Sequence, residues 1–225
     1  MGKVGYAIAM QLHDAMGPTP RLVRLFLLEK GIALPVVAWD AFTGAHRSGE
    51  YARRNPGAQF PALELDEGPL LAESKAICEY VEELHPEPAL VGRTPRERAE
   101  TRMWVSRIDA RIVQPAALAF RSGEGLAMYQ GNVAVFPESA AALKALAREG
   151  YAWLEGLLGA GAWVCGLRFT LADLVLYATL DAYHGAGQPL DPAWPHLVDW
   201  YVRMSARPSA EASVHPQARA MGARA

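Results

Sequence analysis

Apolar residues change their spacing once along this chain. Up to residue 86 they come in short runs and alternations; beyond residue 95 they recur every three or four positions. Residues 6–12 predict a first strand, which stops at the turn-forming run Gly17-Pro18-Thr19-Pro20. Residues 21–30 place Val23, Leu25, Phe26, Leu27 and Leu28 in a helix-length window. Lys30 near the carbonyl end and Gly31 just beyond it supply the stop signal. Residues 34–39 alternate and predict a second strand, and residues 43–57 are polar and irregular, with one helical turn around 50–54. Residues 60–65 predict a third strand, Asp66-Glu67-Gly68 a hairpin turn, and 69–71 the returning strand. Residues 74–84 carry Ile77, Tyr80, Val81 and Leu84 at helical spacing, ended by Pro86 and Pro88. The order is βαβ followed by ββα.

The second half predicts helices over 96–114, 138–158, 171–183 and 196–205, with Met103, Trp104, Ile108 and Ile112 on the buried face of the first. No segment there predicts a strand. The expected fold is therefore an α/β domain over 1–86 and an all-helical domain over 95–225, joined by the proline-containing connection between them.

Composition narrows the function without naming it. The 225 residues are 51% apolar and 20% charged, an ordinary globular balance, and the net charge of −2 gives no basic surface for nucleic acid or anionic membrane. No apolar run approaches the roughly 20 residues that cross a bilayer, and Gln11, His13 and Asp14 interrupt any signal-peptide core. A cytoplasmic protein is expected. Cys78 and Cys165 stand far apart and predict buried core residues, not a dithiol or zinc pair. His184, His196 and His215 lack metal-ligand spacing, so no metal is expected.

Three local features carry possible chemistry, and each has a structural alternative. Gln59-Phe60-Pro61 marks either a strand edge or a cis peptide that turns the Phe60 N–H and C=O outward toward a ligand backbone. Glu73-Ser74 at a strand-to-helix junction is either a helix cap or a site for a carboxylate and an ammonium on one ligand. Thr19 is either part of a turn or a hydroxyl at a helix start, where the dipole favours an anion such as a thiolate.

Taken in order, these motifs resemble a known family. The run from Pro18 and Pro20-Arg21 through Glu29-Lys30-Gly31-Ile32 resembles the opening of many bacterial glutathione transferases. Asn55-Pro56-Gly57, Phe60-Pro61 and Glu73-Ser74 resemble their glutathione-binding half, and Arg98-Ala99, Trp104 and Phe169-Thr170-Leu171-Ala172-Asp173 their helical half. The resemblance implies a thioredoxin-like domain with a mixed four-stranded sheet, an all-helical domain, and a cytoplasmic homodimer acting in detoxification. It implies that Phe60, held by a cis bond to Pro61, pairs with the cysteinyl part of glutathione, and that Glu73 and Ser74 hold the γ-glutamyl end. His46, Arg47 and Gln59 match positions that contact the glycyl carboxylate. Asp109 corresponds to a residue reaching across a dimer interface, and Thr170 and Asp173 to a buried capping box.

One position departs from the family. Gly17 stands where Ser or Cys commonly meets the glutathione sulfur, which leaves Thr19 as the catalytic candidate, ahead of helix-start amides and His13. Maleylacetoacetate-type isomerases carry a serine- and cysteine-containing first-turn motif that is missing here. Met103, Trp104, Arg107, Arg111 and Phe120 are candidates to line a second pocket, with core packing or a solvated helix face as the alternative. The expected function is a transferase that conjugates or reduces small hydrophobic electrophiles with glutathione. The alternative is a non-catalytic glutathione-binding or protein-interaction module of the same fold.

Overall fold

The computed structural model describes residues 10–65, 69–159 and 161–225. Strand β1 is Gln11–Ala15, helix α1 Pro18–Lys30, strand β2 Val36–Trp39, helix α2 Gly49–Arg54, and strands β3 and β4 are Ala62–Glu64 and Leu71–Ala72; helix α3 is Ser74–Leu84. The sheet order is β2-β1-β3-β4, with β1 parallel to β2 and antiparallel to β3. This is the expected thioredoxin-like arrangement, with one shift. The first strand begins at Gln11 and runs past Leu12 to Ala15, because the partners of Asp14 and Ala15 on β2 continue the ladder to Trp39. The expected hairpin turn at 66–68, and the start of the expected strand at 6–9, lie outside the described residues.

Alternation along the strands separates two apolar layers. Leu12 and Leu63 face the main core with α1 and α3, while Ala62 faces a smaller cluster with Tyr51 of α2, Trp39 and Phe60. Cys78 is fully buried in the main core and Cys165 is buried at its edge, as expected.

The helical half comprises α4 Pro95–Ile108, α5 Gln114–Ser122, α6 Leu126–Tyr129, α7 Ala140–Leu158, α8 Leu171–His184, α9 Pro195–Ser205, α10 Pro208–Ala212 and α11 Pro216–Ala220. The single helix expected over 96–114 is instead α4, a π-helical turn at Asp109–Val113, and α5. Pro115 gives the reason. In an unbroken α-helix its ring would strike the carbonyl four residues back, that of Arg111. The wider turn, with Gln114 N–H donating to Asp109 C=O, carries the chain past that clash.

Two buried cations join distant segments. Lys30 at the end of α1 pairs with Glu82 of α3 and donates to the carbonyls of His85 and Pro88 at 2.7 and 2.6 Å. Glu82 in turn accepts from the amides of Leu90 and Val91. Arg21 pairs with Asp181 of α8 at 2.6 Å, and donates to Ser213 Oγ at 3.1 Å and Ala210 C=O at 2.9 Å. It also donates to the Arg224 carbonyl.

The capping box expected at Thr170 and Asp173 is present at the start of α8. Asp173 also accepts from Val164 N–H and the Trp200 indole, each at 2.9 Å. Burial pushes its carboxyl up to about 6, against the hydrogen bonds that favour the ionised form. A folded value raised above the ordinary 3.8 means that this group stabilises the fold below that pH, and the contribution is lost as pH rises through about 6. Asp173→Asn sets an amide N–H₂ against backbone or indole donors in either orientation. It should cost about 1–3 kcal/mol in urea unfolding and remove that pH slope between 4 and 6.

Candidate functional site

The elements converge on one end of the sheet, where the start of α1, the loop before β3 and the start of α3 meet. Gly17, the residue before α1, has φ 150° and ψ 161°, a conformation that a side chain resists. A Cβ there would also touch Pro20 Cδ at 3.4 Å. The missing serine at this position is therefore a backbone matter as well as a side-chain one. Pro18 and Pro20 occupy the first turn of α1 and carry no N–H, so Thr19 supplies the one amide of those three residues. The helix-start amides considered from the sequence thus reduce to a single donor within that run.

Thr19 is exposed, and its hydroxyl donates to the Phe60 carbonyl at 3.2 Å. The Phe60–Pro61 peptide is cis, as expected. No described residue accepts from the Phe60 N–H. The carbonyl of the preceding Gln59 is held from behind by Tyr51 Oη at 2.7 Å and by the buried Asn55 side-chain amide at 2.9 Å. Burial pushes the Tyr51 phenol up to about 12, so it stays a donor. Asn55 belongs to the motif that suggested the family. Its role, which the sequence alone left unassigned, is to anchor this loop.

Behind the loop lies an aromatic cluster that sequence reasoning missed. Phe60 packs on Tyr51, Trp39 and His46 with ring centroids 5.0, 5.7 and 5.1 Å away. His13 stands among them but is engaged at both nitrogens. The Trp39 indole donates to Nδ1 at 3.0 Å, which leaves Nε2–H to donate to Glu64 at 3.0 Å. His13 is thereby a support for the sheet and not a sulfur ligand.

Glu73 and Ser74 fall where expected. Glu73 is exposed with φ 69° and ψ 112°, strained for a non-glycine residue and held at the mouth of α3. Ser74 opens that 11-residue helix, is buried, and makes no side-chain hydrogen bond among the described residues. Its hydroxyl and the first amides of α3 form an anion-receptive end. Next to it, Lys75 pairs with Asp109 at 2.6 Å within the chain, so Asp109 is already engaged by its own subunit.

The three residues expected near a glycyl carboxylate are not gathered alike. His46 is buried against Phe60, and its Nδ1 is buried with no partner among the described residues. Burial and the neighbouring Arg47 hold its pKa below the ordinary value, so the ring is neutral at neutral pH. Arg47 reaches instead to Asn132 of the helical half, at 2.8 Å to the carbonyl and 3.0 Å to Oδ1. The Gln59 side chain is exposed. Of the second-pocket candidates, exposed Arg107 lies over Trp104 and exposed Arg111 over Trp153, at 5.3 and 4.7 Å from the ring centroids. Phe120 packs on Tyr129 and Tyr183.

Among the described residues, no cluster of three or more His, Cys, Asp or Glu could hold a metal ion. Likewise, no described helix is long and apolar enough to cross a membrane.

Comparison with known proteins agrees with this geometry. Residues 12–89 match the family model for the glutathione S-transferase N-terminal domain, and residues 129–208 that for the C-terminal domain. The chain is 30% identical to glutathione S-transferase 2 of Saccharomyces cerevisiae over 208 residues, covering 89% of this chain and 87% of that protein. It is 34% identical to maleylacetoacetate isomerase of Pseudomonas aeruginosa, covering 78% and 81%. The crystal structure of a glutathione S-transferase domain-containing protein from Marinobacter aquaeolei superposes with a TM-score of 0.82 at 32% identity, covering 88% of this chain and 98% of that one.

Proposed function

The chain belongs to the glutathione S-transferase family, and from that premise we propose that it binds glutathione where α1, the Phe60–Pro61 loop and α3 meet, and transfers it to small hydrophobic electrophiles. In this reading the Phe60 N–H and C=O pair with the cysteinyl main chain. The γ-glutamyl carboxylate sits on the Ser74 hydroxyl and the first amides of α3, and its ammonium donates to Glu73. His46, Arg47 and Gln59 serve the glycyl end, for which Arg47 must leave Asn132. The thioredoxin-like part ends near residue 86, and the helical part, from about residue 95, supplies the electrophile's apolar wall.

One observation carries the reading: the Thr19 hydroxyl donates to the Phe60 carbonyl at 3.2 Å. A cysteinyl N–H that takes over this carbonyl frees the hydroxyl beside the same ligand's sulfur. Thr19 then donates to the thiolate, aided by its own amide and the positive end of α1. A free thiol titrates near 8.5, and each unit of lowering corresponds to about 1.4 kcal/mol of preference for the thiolate. One hydroxyl and one helix end supply an effect of about one unit. Glutathione provides the nucleophile; the protein positions it and stabilises its charge.

Calorimetric titration with glutathione tests the pocket. Ser74→Ala and Glu73→Gln should each weaken binding by about 1–3 kcal/mol, and unchanged affinity in both would remove the assignment. Thr19→Ala should raise the pKa of the bound thiol by about one unit, read from thiolate absorbance, while Thr19→Ser should keep it low. An unmoved titration clears Thr19. The lack of a side chain at Gly17 favours the alternative, a glutathione-binding module without turnover. Turnover of 1-chloro-2,4-dinitrobenzene by the wild type separates the two. The reading extends to a cytoplasmic homodimer acting in detoxification; sedimentation at twice the chain mass of 24.4 kDa tests the dimer.

A further inference from the structure

The sheet ends at β2, and the parallel register decides which of its main-chain groups are used. Leu12 N–H donates to Pro35 C=O at 2.9 Å, and Leu12 stands opposite Val36. Pro35, Val37 and Trp39 therefore turn their polar groups toward β1, while Val36 and Ala38 turn N–H and C=O outward. Neither outward pair is matched by another strand among the described residues. Edge strands are ordinarily guarded by charge, an internal proline or a covering element. Here the strand is Val-Val-Ala-Trp, without a charge, and Val36 is 53% exposed.

Residues of the segment that runs from α10 into α11 share a groove with this strand without pairing to it. The groove, of about 690 Å³, is lined by Val36 and Ala38 of the strand and by Val214 of the segment. Its polar lining is three basic residues, Arg24, His215 and Arg219, and one acid, Asp14. Asp14 is already held by Arg24 at 2.6 Å, and Arg219 is paired with Glu211. Arg24 is unusual in having donors to spare. Its Nε donates to Ser213 C=O at 2.7 Å and its Nη1 to Asp14 and Ala15, but Nη2 is buried with no partner among the described residues. An unpaired guanidinium edge under a groove is costly unless an acceptor arrives. Burial and the nearby Arg24 also hold the His215 imidazole below its ordinary pKa, consistent with a positive local field.

We propose that this groove takes an extended peptide, of a partner protein, that adds to β2 as an outer strand and presents an acidic side chain to Arg24. The main-chain bonds come from Val36 and Ala38, and a segment of about three to four residues spans them. The acidic residue supplies the acceptor that Arg24 lacks, with His215 and Arg219 beside it.

The test uses the whole protein and a synthetic probe, acetyl-Thr-Val-Glu-Val-Thr-amide, followed by amide chemical shifts. Binding should move the amides of Val36, Ala38 and residues 214, 215 and 217–220. A probe N-methylated on the bonds facing β2 should bind at least tenfold more weakly, and a Glu→Lys probe at least fivefold. Ala38→Pro removes an outward N–H without touching the ladder to β1; it should abolish the probe's binding and leave the glutathione titration unchanged. Should that variant not fold, the methylated probe on the wild type makes the same comparison. Equal binding of the three probes overturns the proposal, as does no binding at 1 mM. Concentration-dependent shifts at Val36 and Ala38 without peptide would assign the edge to a second copy of the chain and overturn it too.

Discussion

Glu82→Leu should lower the unfolding free energy by about 3–5 kcal/mol, the cost of leaving a buried charge without its partner. Lys30 and Glu82 are both buried, with side chains 0% and 1% exposed. Removing the carboxylate leaves the ammonium facing the His85 and Pro88 carbonyls and the Phe26 ring, and it strips the acceptor from the amides of Leu90 and Val91. Replacing both partners by apolar residues often restores stability in other buried pairs. Here it should not, because the pair also binds four backbone groups of the connection between the two halves. Urea unfolding of Glu82→Leu and of Lys30→Met/Glu82→Leu checks this. A double variant as stable as the wild type would mean that those backbone groups find water.

Gly150→Ala should be the second large loss, about 3 kcal/mol, at the upper end of the usual overpacking range. A methyl group there would collide with the Arg111 carbonyl oxygen and come within 2.8 Å of its carbon and 2.9 Å of Ile112 Cγ1. Backbone cannot yield as a flexible side chain can. The position faces the π-helical turn, so α7 approaches that turn only because residue 150 has no side chain. Gly156 on the same helix has open space around it, and Gly156→Ala should be neutral or stabilising by its higher helix propensity. The thermal midpoint should thus fall for Gly150→Ala and hold or rise for Gly156→Ala. A small change at residue 150 would show that the two helices can part.

How far the fold could be read in advance depended on whether local signals agreed. Helix α3 was legible to its end residues because Ser74, a residue type favoured at helix starts, and the breaker Pro86 bracket one apolar stripe. The α4–α5 region was not, because its apolar spacing runs smoothly through 109–113 and the widened turn answers a clash one helical turn away. At the candidate site, Thr19, Phe60, Glu73 and Ser74 were legible as short motifs. Trp39 and Tyr51 were not, and Asn55 was legible as part of a motif without its role, since their contribution is a contact between segments that look like ordinary strand and loop. Arg47 was placed by motif position alone, and its bond to Asn132 spans 85 residues, a distance over which local pattern carries no information.

Arg21 gives the order of synthesis a structural meaning. Its fully buried guanidinium sits in the first helix, yet its partners Asp181, Ala210, Ser213 and Arg224 lie at least 160 residues further on. While the chain emerges from a ribosome, the N-terminal layers can assemble around the sheet, but these partners reach the cation only once residues 181–224 have been released. The first half is thus held short of its native packing until residues 181–224 have been made and have docked.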